Sequence, residues 1–139
     1  MNHDSRILID SNVLIYSVEP SSPEKHDIAM KLILQQCQSK TGTVSCQNLA
    51  EFMYVLQRRY KNSLEDGAKF LRGASANFNI IVYTDEDVLR AWHLTAQYNL
   101  PFFDALLVAT MEKVGISTII TENEKDFKKI PWLTVINPF

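Results

Sequence analysis

Acids placed where apolar packing is expected are the residues of this sequence that could do chemistry. Asp104 is the only charge in Leu100–Met111 (LPFFDALLVATM), a stretch apolar enough to form a buried helix. A lone buried carboxylate costs several kcal/mol unless it is paired, protonated or bound to a cation. Its position near a helix start recovers only ~0.5 kcal/mol, which explains tolerance of an acid there but not its choice. Asp10 closes the apolar run RILID and is followed by Ser11-Asn12, while Thr121-Glu122-Asn123 follows the run STIIT. Glu51 stands beside the stripe Leu49/Phe52/Met53, at the edge of the buried face of its helix. Taken singly, Asp10 could be a turn former or helix cap and Glu51 a solvated helix residue. Together the three acids border apolar surface with no matching Lys or Arg beside them in sequence. Gathered carboxylates repel one another, and a hard divalent cation relieves that repulsion. Such an ion can activate water and stabilise the leaving oxygen in phosphodiester cleavage.

The elements that must position these acids follow from the hydrophobic pattern. Arg6–Asp10, Thr43–Ser45, Asn79–Tyr83, Ser117–Thr121 and Leu133–Ile136 read as short apolar strands, and Ser11–Tyr16 as a turn or short helix. Helices are predicted from Ser22-Pro23, a cap followed by proline, to about Gln38; over Gln47–Tyr60; from Ser63-x-x-Asp66 to about Ala76; from Thr84-x-x-Asp87 to about Tyr98; and from Pro101 to near Gly115. Strands without polar alternation, alternating with helices, imply an α/β fold whose parallel sheet is covered on both faces. In such a sheet ligands bind outside the carboxyl ends of the strands. Parallel strands would therefore open Asp10-Ser11-Asn12 and Thr121-Glu122-Asn123 onto one edge.

With 139 residues, 46% apolar and 22% charged, the chain is expected to form a single globular domain over 1–139. No apolar stretch is long enough to span a bilayer, and the start Met1–Arg6 lacks a signal-peptide pattern; the expectation is a cytoplasmic protein that does not engage a membrane. A net charge of −2 argues against coating nucleic acid by bulk electrostatics. Cys37 and Cys46 do not fit CxxC and are expected in the core, and His3, His26 and His93 form no ligand pair, which argues against zinc.

The residues Ile9-Asp10-Ser11-Asn12-Val13-Leu14, Ala50-Glu51-Phe52, Phe103-Asp104-Ala105-Leu106-Leu107, Thr121-Glu122-Asn123 with Asp126-Phe127, and the closing Val135-Ile136-Asn137-Pro138 resemble the PIN-domain family in order and approximate spacing. The likeness is to its VapC-like toxins of toxin–antitoxin pairs. That resemblance implies a three-layer α/β/α fold with a central parallel sheet of four to five strands. It also implies Mg²⁺- or Mn²⁺-dependent endonucleolytic cleavage of RNA. By it, Asp10, Glu51 and Asp104 are the principal metal-site acids, and Ser11, Asn12 and Thr121 orient ligands or water. It further implies a homodimer silenced by a cognate antitoxin. Family members often carry an acid two residues after the threonine; here that residue is Asn123, leaving Glu122 and Asp126 as candidates. Asp126 is favoured, with Asn123 as its companion, because Phe127 would anchor the turn.

Cations that could meet RNA are Arg58, Arg59 and Lys61, then Lys69 and Arg72, and Lys125, Lys128 and Lys129, although runs of this kind are more often solvated helix or loop surface. Two other readings compete. A haloacid-dehalogenase-like phosphatase would use Asp10 as nucleophile but wants a second acid where Asn12 stands. A non-catalytic module would use the acids to receive a basic peptide.

Overall fold

Each apolar run becomes a strand; four are shorter than their sequence patterns, and the one at Thr43–Ser45 is one residue longer. The computed structural model describes residues 5–19, 21–60 and 64–139. In chain order the elements are β1 (Ile7–Ile9), α1 (Ser11–Tyr16), α2 (Pro23–Ser39), β2 (Gly42–Ser45), α3 (Cys46–Val55), α4 (Leu64–Asn77), β3 (Asn79–Ile81), α5 (Asp85–Tyr98), α6 (Phe102–Val114), β4 (Thr118–Ile120), α7 (Glu124–Phe127) and β5 (Thr134–Ile136). The strands form one five-stranded sheet in the order β3-β2-β1-β4-β5, parallel at every pairing.

Because successive strand residues point to opposite faces, the apolar strands feed two cores. Leu8 and Ile119, paired in register, belong to a core with Ile81, Leu94, Ala105 to Ala109, Met111 and Phe127. Their neighbours Ile9 and Ile120, also paired, face a second core with Val13, Val44, Phe52 and Leu56. Helices therefore cover both faces, giving the three layers expected. The chain moves outward from β1 through β2 to β3, then returns to lay β4 on the other side of β1. That reversal opens a crevice at the carboxyl ends of β1 and β4.

Several boundaries differ from the sequence pattern for physical reasons. Asn79–Tyr83 stops pairing at Ile81, and Val82 and Tyr83 stay exposed before α5. The expected helix to Tyr60 is α-helical only to Val55, then turns as a π-helix over Leu56–Tyr60. Ser22 precedes Pro23 as predicted but makes no side-chain cap, whereas Thr84 receives the expected return bond, its N–H donating to Asp87 Oδ2 at 2.8 Å. Gly115 ends α6 in the left-handed conformation, φ 81°, as a cap residue should. Cys37 and Cys46 are free thiols and only half-buried, so neither is the core residue expected. Lys61 and Ser63 lie outside the described residues. Among the described residues no helix is long and apolar enough to cross a membrane.

The short helix α7 was predicted only as a turn. Phe127, fully buried among α6 and β4 residues, pins it against the sheet. Phe127→Ala should lower unfolding free energy by about 3–5 kcal/mol, read by urea denaturation. A loss under about 1 kcal/mol would show that α7 docks without its anchor.

Candidate active site

The crevice at the sheet edge is organised around Asp10. Its backbone is extended (φ −73°, ψ 157°), so β1 hands over to α1 at this residue and the carboxylate caps the new helix through Ser11 N–H at 2.8 Å. The helix-cap role and the site role therefore coincide. Asn48 Nδ2 donates to the same oxygen, Oδ1, at 3.2 Å, and Thr121 Oγ1 donates to Oδ2 at 2.8 Å. Asn12 Nδ2 lies 3.4 Å from Oδ2 and 3.3 Å from Thr121 Oγ1, while its own Oδ1 accepts Glu122 N–H at 3.3 Å. Burial raises the Asp10 carboxyl above its ordinary range despite the opposing bonds from Thr121 and Ser11.

Glu51 and Asp104 flank it. Glu51 is solvent-exposed rather than half-covered, yet it is tied inward: Ser11 Oγ donates to Oε2 at 3.1 Å and Gln47 Nε2 to Oε1 at 3.0 Å. Asp104 is half-buried in the first turn of α6, immediately before the fully packed stretch Ala105–Met111. Its carboxyl is pushed up to about 6, by burial first and then by the negative charges of Asp10 and Asp126, with a smaller push from Glu51; the Asn123 bond opposes this.

The two fourth-acid candidates separate. Asn123 Nδ2 bridges Asp104 Oδ2 at 3.0 Å and Asp126 Oδ2 at 3.2 Å, bringing Asp126 to the cluster. Glu122 instead pairs with Lys25 at 3.2 Å. Asn123 is itself held by Thr121, whose Oγ1 accepts its backbone N–H at 3.0 Å.

The expected cations do not converge on the acids. Arg58 stacks against Tyr54 and donates to its hydroxyl at 2.8 Å, Arg59 is exposed, and Lys61 lies outside the described residues. Lys69, Arg72 and Lys125 are exposed, and Lys128 pairs with Glu124 at 3.1 Å. Only Lys129 reaches a site acid, Asp126, at 3.4 Å, while it donates to Asn99 O at 2.8 Å. Among the described residues no Lys or Arg pairs with Asp10, Glu51 or Asp104.

An all-oxygen donor set without a balancing cation suits a hard divalent ion. The side chains are not drawn together around one, however: among the described residues no three His, Cys, Asp or Glu are arranged to hold an ion. Neutral donors stand in the gaps, Ser11 between Asp10 and Glu51, and Asn123 between Asp104 and Asp126. The donor chemistry fits Mg²⁺ or Mn²⁺, and small side-chain rotations would have to complete the ligand set.

A family model of the PIN domain matches residues 7–133. The chain belongs to that family. Solved structures share its fold. A toxin–antitoxin complex from Klebsiella pneumoniae is 25% identical, with a TM-score of 0.66 over 96% of this chain and 98% of that one. Mycobacterium tuberculosis VapC20, a sarcin–ricin loop cleaving toxin, is 21% identical, with a TM-score of 0.75 over 94% and 99%. DNA-bound VapBC from Salmonella typhimurium is 15% identical, with a TM-score of 0.70 over 96% and 98%. At their identities the last two speak to fold alone. No curated protein matches the chain by sequence.

Sequence reasoning passed over two polar residues of this PIN domain. Asn48 is fully buried and joins α3 to Asp10; the signal was Ser45-x-x-Asn48, a capping pattern that the structure forms in both directions. Gln47, beside it, links Glu51 to the Phe103 carbonyl at 2.8 Å, and nothing in the sequence marks that bond.

The raised Asp104 carboxyl has a stability consequence. It keeps its proton in the folded state up to about 6, whereas an ordinary aspartate releases it near 3.8. The folded state therefore binds more protons between those values, and its stability falls as pH rises from about 4 through about 6. Metal-free Asp104→Asn cannot ionise there, so relative to wild type it should gain stability across that window. Urea unfolding in excess chelator at several pH values checks this; a pH-independent difference would show that Asp104 is not strained.

Proposed function

We propose that this PIN domain is a divalent-metal-dependent endoribonuclease and the toxin of a toxin–antitoxin pair. The observation that carries the nuclease reading is the gathering of Asp10, Glu51, Asp104 and Asp126 at the carboxyl edge of the parallel sheet, with Asp104 raised by burial and then by its acidic neighbours. Those four acids would hold Mg²⁺ or Mn²⁺. When bound, the ion supplies charge neutralisation for an RNA phosphodiester and lowers the pKa of water. Asp10 cannot swing away, because Ser11, Asn48 and Thr121 hold both of its oxygens. Thr121 and Asn12 orient Asp10, Ser11 orients Glu51, and Asn123 orients Asp104 and Asp126 together. Asp104 retains its proton below about 6 and would have to release it to hold a cation, so apparent metal affinity would weaken as pH falls through that value.

The phosphatase reading loses its support at Asn12. Its amide reaches Asp10 and Thr121 and its carbonyl takes the Glu122 N–H, which makes it a brace across the strand ends rather than a substitute acid. The antitoxin reading draws on family membership and on the Klebsiella pneumoniae toxin–antitoxin complex. Two apolar surfaces are available to an antitoxin or to a second copy in a homodimer. One is a groove between α2 and α4 with Ile33, Leu34 and Phe70; the other is the Val88, Leu89 and Trp92 face of α5.

Purified protein should cleave RNA with Mg²⁺ or Mn²⁺, lose activity in EDTA, and recover poorly with Zn²⁺. Full cleavage in excess chelator would remove the metal mechanism. Asp10→Asn, Glu51→Gln and Asp104→Asn should each abolish most cleavage while remaining folded by circular dichroism. Asp126→Asn should raise the metal concentration for half-maximal cleavage by roughly tenfold, and Glu122→Gln much less. If calorimetry detects no divalent ion at millimolar concentration, the acids serve a binding module instead. Expression alone should slow growth of a bacterial host, and Asp10→Asn should not; equal growth of the two argues against a toxin.

A further inference from the structure

Next to the acids lies a cavity of about 390 Å³ lined by Gln47, Ala50, Glu51, Tyr83 and Phe103. Three elements build it: the first turns of α3, the stretch after β3, and the first turn of α6. Its two rings are left largely to solvent. Phe103 is 65% exposed and touches Phe102 edge-on at 5.6 Å; Tyr83 is 42% exposed. Exposure of two aromatic rings in one small cavity forfeits burial that such side chains ordinarily gain.

Gln47 adds a polar tie. Only 9% exposed, it donates through Nε2 to Phe103 O at 2.8 Å and to Glu51 Oε1 at 3.0 Å. Those two acceptors fix the orientation of the amide, since the flipped form would set its carbonyl against a carbonyl and a carboxylate. Gln47 Oε1 is thereby left buried and without a hydrogen-bond partner among the described residues. Its burial closes that oxygen to a ligand in the cavity, so the amide acts as a fixed tie between Glu51 and the Phe103 carbonyl.

We propose that this cavity receives one unpaired nucleobase of the RNA, stacked on Phe103 and Tyr83, beside a wall that Gln47 fixes through its bonds to Glu51 and the Phe103 carbonyl. The inference rests on the ribonuclease reading, because Glu51 belongs both to the cavity wall and to the candidate metal-site acids. An occupant of the cavity thus adjoins the place where a phosphate would be held, and base plus phosphate is the chemistry of one nucleotide. Aromatic platforms of this kind take bases from single strands with little regard for sequence. Phe103 immediately precedes Asp104, and Gln47 grips the Phe103 carbonyl. Seating a base would therefore engage the turn that carries one metal-site acid.

The test separates binding from cleavage. Labelled pentanucleotides of A, C, G or U are compared with a pentamer of abasic ribose phosphate carrying the same charge. Fluorescence anisotropy is measured on the Asp104→Asn protein with Mg²⁺. At least one base-bearing pentamer should bind roughly tenfold or more tighter than the abasic one. Adding Phe103→Leu and Tyr83→Leu should reduce that advantage to about twofold or less, with little change in melting temperature, since both rings are exposed. Gln47→Met, which removes both Nε2 bonds, should also weaken the base advantage, because it frees the Phe103 turn and Glu51. A base advantage that survives loss of both rings overturns the proposal. So does unchanged RNA binding accompanied by lost self-association, which would make the cavity a protein dock. Wild-type cleavage of total RNA is assayed separately. No cleavage with the base advantage intact would sink the nuclease reading and leave the pocket, whereas cleavage without any base advantage would sink the pocket alone.

Discussion

Taking a carboxylate out of water at the end of a central strand is unfavourable by several kcal/mol unless other groups replace its hydration. Asp10 meets that requirement with donors drawn from separate parts of the chain: Ser11 at the start of α1, Asn48 on α3 and Thr121 after β4. The bonds compensate in part, because burial still holds its carboxyl above the ordinary range. The surrounding sheet order is what makes this possible. Only where β1 and β4 are neighbours can a residue after one strand be bonded by the hydroxyl after the other.

From that anchor the remaining acids are set by neutral donors rather than by cations. Ser11 faces Glu51, and Asn123 faces Asp104 and Asp126. A Lys or Arg in the same places would satisfy the charges permanently. Amides and hydroxyls hold the carboxylates in position while preserving their mutual repulsion, which adds to burial in raising the Asp104 carboxyl. Lys25 and Lys129 sit at the margin, where they engage Glu122 and Asp126.

Much of the layout was legible because strand and helix periods are written in apolar residues. The runs around Ile7–Ile9 and Thr118–Ile120, buried on both faces, announced a covered parallel sheet, and Asp104 declared itself by breaking an apolar run. What could not be read was the partner of each polar side chain. Asn48 looks like an ordinary early-helix residue until β1 is laid beside β2, and Gln47 until α6 is laid across α3. Glu51 was placed on the rim of the buried face, yet it is exposed and held by two hydrogen bonds, because its neighbours, not its helix, determine its direction. The turn after Thr121 offered several acids, and Phe127 beside Asp126 was the one sequence signal that favoured that acid. Phe127 enters the core and carries Asp126 inward, while Lys25 draws Glu122 aside.

The capping box at Ser45 and Asn48 binds two processes into one. Asn48 Oδ1 accepts the Ser45 backbone N–H at 3.2 Å, and its Nδ2 holds Asp10 at 3.2 Å, so one side chain both starts α3 and secures the carboxylate at the end of β1. Helix ends ordinarily fray on their own, with opening free energies near zero. Here the first turn of α3 cannot loosen without stripping a donor from a buried charge. Amide protons there and around Ser11 should therefore exchange together and slowly, as one cooperative opening unit, and the acidic edge is tied to the sheet rather than to a free loop.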